Sequence, residues 1–391
     1  MVSPFAFHTV QKIVFEPGSS QALAETVGTL LGDRTVFVTD PGLMKLGLAD
    51  ASIAALKKSG IDVTVFTDVE ADPSLATVQH AVDVGKEAKA TSVVGFGGGS
   101  SLDVAKLVAL LVGSGEDLDD AWGVGNAKGP RLPLVLIPTT AGTGSEVTPI
   151  SIVTLPGDEK RGVSSPLIIP DAAILDPELT IGLPPHITAA TGIDAMVHAI
   201  EAYASKAANN NPLSKALAVE ALQLLGQNIE TAVREPSNKE ARGSMLLGSM
   251  LAGQAFANSP VAAVHALAYP IGGRFHVPHG LSNALVLPHV MRFNAQDTAS
   301  GARDLYAELA TYAFPDLASS DGSQARCAAF IERLADLSAD LGLETTLRQV
   351  GIGEADLPQL AADAMLQTRL LVNNPRAVTE ADALNIYEKA Y

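Results

Sequence analysis

Asp194 and His198 stand four residues apart in TAATGIDAMVHAIEAY, a spacing that places both side chains on one helical face within reach of a common ion. Taken alone, the pair equally describes a local hydrogen bond. Two more imidazoles, His265 and His279, bracket HALAYPIGGRFHVPHG in a chain with only 8 histidines among 391 residues. One carboxylate and three imidazoles, with no thiolate, form a donor set suited to Fe2+ or Zn2+; a further position open to water or a substrate oxygen makes such a site catalytic. On one unbroken helix His265 and His279 would lie about 21 Å apart. The set therefore closes only if Pro270, Gly272, Gly273 and Pro278 bend or reverse the chain.

Three neighbours stay outside this ligand set. Glu201, three residues beyond His198, supports the ligands from behind or lies on the surface. His276 precedes His279 by three, but Val277 and Pro278 interrupt helical geometry between them, leaving it a pocket-lining or proton-exchanging candidate. Tyr269, four after His265, faces the same side if that segment is helical; its hydroxyl suits substrate contact or proton relay, and its ring equally suits packing.

A second chemistry belongs to the first half of the chain. GFGGGSSLDVAK, Gly95 to Lys106, follows the apolar run TSVV and opens a helical pattern; its glycines let backbone approach a ligand, and Ser100 or Ser101 can cap the helix. Free N–H groups there suit a diphosphate, although neither G-x-G-x-x-G nor G-K-[ST] is present and a bare tight turn remains the alternative. IPTTAGTGSEVTP, Ile137 to Pro149, likewise leaves a strand with a dense set of hydroxyls. Asp40 ends RTVFVTD, where a carboxylate either accepts from an adenosine ribose, favouring NAD over NADP, or forms a turn.

The elements that must position these residues follow two grammars. From Phe5 to about Leu183, β-branched runs (RTVFVTD, VTVFTD, TSVVGFGG, LPLVLIPTT) alternate with segments of helical spacing, which predicts an α/β layer with a largely parallel sheet. FAFHTV and KIVFEP read as a small β ribbon. After Pro184 and Pro185, alanine, leucine and methionine recur at helical spacing to the end, which predicts an all-helical second domain. The expected division is residues 1–183, binding NAD, and 184–391, binding the metal, with chemistry drawn from both.

Composition narrows the rest. A formal net charge of -17 opposes nonspecific attraction to nucleic acid or anionic membrane. The single cysteine, Cys327, excludes a disulfide framework and reads as a buried thiol. Apolar runs break well before membrane-spanning length and the opening residues carry no leader pattern, so a cytoplasmic protein is expected.

GGGSSLDVAK, PTTAGTGSE, the Asp194-to-His198 element and HALAYPIGGRFHVPHG, in that order, resemble the iron-containing, or group III, alcohol dehydrogenase family over nearly the entire chain. The resemblance implies a dinucleotide-binding α/β domain followed by a helical metal domain, a dehydroquinate synthase-like architecture. It maps Asp194, His198, His265 and His279 onto the metal ligands, iron first and zinc as the alternative. Gly97, Gly98, Gly99 and Ser100 map onto the diphosphate loop, Asp103 near the nicotinamide, and Thr139, Thr140 and Thr143 onto a second cofactor loop. Lys160 maps onto a cofactor-facing lysine and Asp40 onto the position of NAD preference. A homodimer joined by the N-terminal ribbon, or a higher homo-oligomer, is also implied.

Three departures stand out: Ser101 replaces a frequent proline, Tyr269 replaces a histidine found in many alcohol-active members, and His276 occupies a position often held by a small polar residue. The expected reaction is reversible, metal-assisted hydride transfer between NAD(H) and a small alcohol and its aldehyde or ketone. The alternatives are a maleylacetate-type reductase of a carboxylated carbonyl, for which Arg161 and Arg274 are the candidate cations, a glycerol-type polyol dehydrogenase, and a noncatalytic nucleotide-binding regulator.

Overall fold

Valines and other apolar residues buried on both faces of short runs build the first unit. The computed structural model describes residues 3–157, 159–319 and 321–391. Strands β1 (Lys12–Phe15), β2 (Arg34–Val38), β3 (Asp62–Phe66), β4 (Ser92–Gly97), β6 (Leu134–Pro138) and β9 (Ala172–Leu175) form a parallel sheet in the order β1-β9-β6-β4-β2-β3. A smaller sheet, β5 (Gly123–Val124), β8 (Lys160–Ser164) and β7 (Ile150–Thr154), lies beside it in that order.

Alternation along the strands divides the core in two. Val36, Val38, Val93, Leu134 and Leu136 pack with the Leu75–Glu87 and Gly99–Ser114 helices. Phe37, Val94, Phe96, Val135 and Ile137 pack on the other face with Leu23, Ile53 and Leu56. A sheet covered on both faces needs nearly continuous apolar strands, which explains why these four runs are legible in the sequence.

The expected β ribbon is corrected. Residues 5–10 form no strand among the described residues, and Lys12–Phe15 instead pairs in parallel with β9, Val14 opposite Ile174. A ribbon needs an antiparallel neighbour in register; here the backbone groups of KIVF are met by the sheet edge, a choice that alternation of side chains does not encode.

Packing divides the chain into His8–Ile181 and a helical unit of Gly182–Tyr391 joined by the residues up to Phe7. Ala6 is tied to the helical unit by Asn209, whose amide accepts from its N–H and donates to its carbonyl, both at 2.9 Å. In that unit the Pro185–Ala204 helix is buried around most of its girth by Pro212–Arg234, Lys239–Asn258 and His279–Gln296. Cys327 is buried, and no helix among the described residues is long and apolar enough to cross a membrane.

Candidate metal centre and nucleotide loops

Pro185 sits at the first turn of the Pro185–Ala204 helix, where its missing N–H costs nothing, and the helix then carries Asp194 and His198 inward on one face. His265 lies in the first turn of Ala263–Phe275, and His279 is the first residue of His279–Gln296. The reversal between them is sharper and later than the sequence suggests. Pro270, Gly272 and Gly273 lie inside the first of these helices, and the chain turns only at His276, which takes a left-handed φ of +54°, followed by Val277 and Pro278. One proline deletes one helical hydrogen bond without stopping the helix when the surroundings hold it. The buried Tyr387 hydroxyl supplies such a hold, donating to the Leu267 carbonyl at 2.7 Å.

This reversal brings Asp194, His198, His265 and His279 together, each offering a ligand atom, all within 4.8 Å of one another. Two donors on one ion stand at most about 4.2 Å apart, twice a usual metal–ligand bond, so side-chain shifts well under ~1 Å complete the shell. The donor chemistry and spacing therefore fit a first-row divalent cation. The first three residues are buried and His279 is partly exposed, leaving one side of the cluster accessible. His198 stacks between Phe256 and His265, with ring centroids 4.3 and 4.7 Å away.

Behind the ligands stand two polar residues. Glu201 is buried, lies 2.6 Å from His265 Nδ1 and accepts from the Ala262 and Val264 N–H groups at 3.0 and 2.7 Å. Of the two places the sequence left open for it, the supporting one is observed. Asn283, which sequence reasoning missed, donates from Nδ2 to Asp194 Oδ1 at 2.6 Å and lies 3.3 Å from Nε2 of both His265 and His279. Its signal was present: Asn283 follows His279 by four, on the same helical face. Burial by itself pushes the Asp194 carboxyl up, but His198, His279, His265 and the Asn283 amide outweigh it and hold it below the usual carboxylate value.

Tyr269 borders the cluster, its ring 5.9 Å from that of His279, with the Arg369 guanidinium 6.0 Å from the tyrosine ring centre. His276 is exposed at the turn and is not among the four converging donors. The two arginines considered for a carboxylated substrate are engaged elsewhere: Arg161 with Glu159 and over Trp122, Arg274 with Asp363.

In the first unit the sheet order places the C-terminal ends of β6, β4 and β2 side by side, so Thr139, the glycine run and Asp40 share one edge. Successive strands leave β2 in opposite directions, toward β3 and toward β4, and α/β sheets bind ligands where the order reverses in this way. The helix after β4 begins at Gly99 with Gly98 as its cap and no side-chain cap, a correction to the expected serine cap. Ser100 and Ser101 fall within the first turn, and the Ser100 hydroxyl instead accepts from the Asp72 N–H at 3.3 Å. Without a capping side chain, the first-turn N–H groups are left for a ligand. Gly97 has φ +149°, and a Cβ there would stand 2.7 Å from Ser101 Oγ; one on Gly99 would stand 2.8 Å from Thr143 Cγ2. Gly97 is thus required by its own backbone angle and by Ser101 of the helix it leads into, and Gly99 by the close approach of the second loop.

The remaining nucleotide-loop candidates are already held in place. Asp40 caps the short Pro41–Lys45 helix, accepting from the Leu43 N–H at 3.0 Å. Lys160 pairs with Asp72 at 2.5 Å. The Thr139 N–H donates to the Gly97 carbonyl, Thr140 faces Gly98, and Thr143 Oγ1 accepts from the Ser145 N–H. Asp103 accepts from Ser145 Oγ at 2.6 Å and from the Ile152 N–H at 2.9 Å, joining the glycine-loop helix to the second loop.

Two buried charged residues in this network were missed from sequence. Lys106 Nζ donates to Ser145 Oγ, Thr148 Oγ1 and the Ile150 carbonyl, at 2.8, 3.1 and 2.6 Å. Glu146 has one carboxyl oxygen without a hydrogen-bond partner, and burial pushes its pKa up to about 7 against the pull of its own backbone and Lys106. Burial likewise pushes Asp103 up and Lys106 down, each opposed by their mutual attraction. A lysine in a helical pattern reads as solvated, so only packing reveals that Lys106 is enclosed.

Comparison with known proteins points one way. Residues 10–177 match the family model described as iron-containing alcohol dehydrogenase, and residues 188–391 match the C-terminal model of the Fe-containing alcohol dehydrogenase family. The chain is 42% identical to long-chain-alcohol dehydrogenase 1 of Geobacillus thermodenitrificans, covering 98% of this chain and 97% of that one. It is 38% identical to the sulfoacetaldehyde reductase of Bilophila wadsworthia, covering 98% of each. Among solved structures, a 1,3-propanediol oxidoreductase superposes with a TM-score of 0.94 at 34% identity, covering 99% of this chain and 100% of that chain.

Proposed function

The chain belongs to the iron-containing alcohol dehydrogenase family, and from that premise we propose that it interconverts alcohols with their aldehydes or ketones, using NAD(H), at a metal held by Asp194, His198, His265 and His279. The observation that carries this reading is the convergence of four donors of those types from three helices. When bound, the metal supplies a Lewis acid for the alcohol or carbonyl oxygen, and the nicotinamide exchanges the hydride. The task of the chain is to hold the ligand atoms, present first-turn N–H groups to the diphosphate, and set a hydroxyl beside the reacting oxygen.

Tyr269 is our candidate for that hydroxyl, since its ring flanks His279. His276, exposed at the turn, is assigned at most a part in exchanging the proton with solvent. Residues 1–183 serve the cofactor and 184–391 the metal, with Gly97, Gly98, Gly99, Ser100, Asp103, Thr139, Thr140, Thr143 and Lys160 around the nucleotide. Iron is the proposed native metal and zinc a competent replacement, because both accept a mixed oxygen and imidazole shell. A cytoplasmic homodimer completes the proposal. The exposed Ile13 and Phe15 on edge strand β1 support the dimer, since such an edge calls for covering.

A reductase for carboxylated carbonyls is not favoured, given the engagement of Arg161 and Arg274. The named relatives act on substrates of different length and charge, so the test is a panel: long-chain and short alcohols, diols, and aldehydes with and without an anionic group. After loading with Fe2+ or Zn2+, NAD(H)-dependent turnover is expected on at least one neutral pair and is lost on chelation. No metal-dependent turnover across the panel rejects the reading.

Asp40→Gly tests the cofactor side. Removing a carboxylate that repels the 2′-phosphate is expected to raise kcat/KM for NADP, narrowing its deficit against NAD by about tenfold or more. An unchanged NAD/NADP ratio removes Asp40 from the cofactor assignment.

A further inference from the structure

Glu201 links the helix that carries His198 to the start of the helix that carries His265. It lies one turn beyond His198 on the same helix and is 6% exposed. Its oxygens accept from the Ala262 and Val264 N–H groups at the start of a different helix, and one of them lies 2.6 Å from His265 Nδ1. The helix that carries His265 has no capping side chain of its own, its cap position being Ala262. Glu201 thus supplies from outside the acceptor that helix start lacks, where negative charge is also favoured by the helix dipole.

The same contacts bear on the imidazole. Each Glu201 oxygen already faces a backbone N–H, which can only donate, so the carboxylate acts as acceptor at this place. His265 Nδ1 must then be the donor in their 2.6 Å contact, and the lone pair is left on Nε2, the nitrogen near Asn283 and facing the cluster. The 22° stack on His198 leaves the ring little freedom to flip.

We propose that Glu201 is a positioning residue that fixes the tautomer and orientation of His265 and thereby sets the metal affinity of the site. The proposal rests on the metal-centre reading above. It concerns binding before catalysis, since a partner on the far nitrogen both orients a ligand and strengthens its donor.

The test uses the full-length protein and Zn2+ as probe, measured by competition with a chromogenic chelator. Wild type is expected to bind one Zn2+ per chain. Glu201→Gln, which keeps shape but has one acceptor oxygen in place of two, is expected to weaken binding roughly 10- to 100-fold. Because a poorly folded variant would mislead, 15N NMR of 15N-histidine-labelled, Zn2+-loaded wild type provides a second reading: His265 should carry its proton on Nδ1. Wild-type affinity in a folded Glu201→Gln variant, or a proton on Nε2 of His265, overturns the proposal. If wild type binds no Zn2+, the metal-centre reading fails separately, and the tautomer seen in the zinc-free protein still decides whether Glu201 orients His265.

Discussion

His265→Ala is expected to abolish stoichiometric metal binding and to lower turnover by about 10^3-fold or more. The expectation follows from counting: four side chains are proposed to hold the ion, and His265 lies in contact with two of the others and with Glu201 and Asn283. Losing one imidazole leaves three ligands, one of them the partly exposed His279. A Lewis acid lowers the barrier by about several kcal/mol, and each ~1.4 kcal/mol is a factor of ten. The glycine loops belong to the other compact unit, so NAD binding is expected to persist. Elemental analysis of purified variant, fluorescence titration with NADH and single-turnover rates check the three parts. Full metal occupancy at wild-type turnover would falsify the ligand set; loss of NADH binding together with metal would indicate general unfolding.

The second large effect is expected from a single methyl group. A Cβ on Gly280 would lie 2.3 Å from the Ala190 carbonyl oxygen, 2.8 Å from its carbon and 3.3 Å from Asp194 Cβ. Backbone is in the way, and no rotamer change relieves it. Gly280→Ala must push the start of the His279–Gln296 helix off Pro185–Ala204, next to two proposed ligands. Overpacking of this kind costs about 1–3 kcal/mol of stability, and the displacement also weakens metal binding because His279 is the adjacent residue. A fall in Tm measured without metal, together with weaker Zn2+ binding by chelator competition, is the expected pair of results. An unchanged Tm and affinity would show that the two helices separate freely, and the proposed rigid placement of His279 would be wrong.

How far these features were legible before folding varies with how local their cause is. Four of the six parallel strands announce themselves because each carries apolar residues on both faces, and Asp194 with His198 because helical spacing alone puts them together. Asn283 is legible by the same rule, four residues after His279 on one helical face. The site of the chain reversal was not. Pro270 and the two glycines are stronger breakers by local preference than His276, yet the helix runs through them and stops at a left-handed histidine.

The chemistry is written in the chain before it folds: one carboxylate and three imidazoles, two glycine and hydroxyl loops behind apolar runs, and a change from α/β to helical grammar near residue 183. Those properties reside in side-chain types and in spacings of a few residues. Tertiary structure alone decided that KIVF joins a sheet edge, that Lys106 is enclosed, and that Glu201 faces His265 across 64 positions of chain. Pairings at that distance are chosen by the sum of many weak packing contacts against the entropy of closing the loop, and no single residue carries that sum.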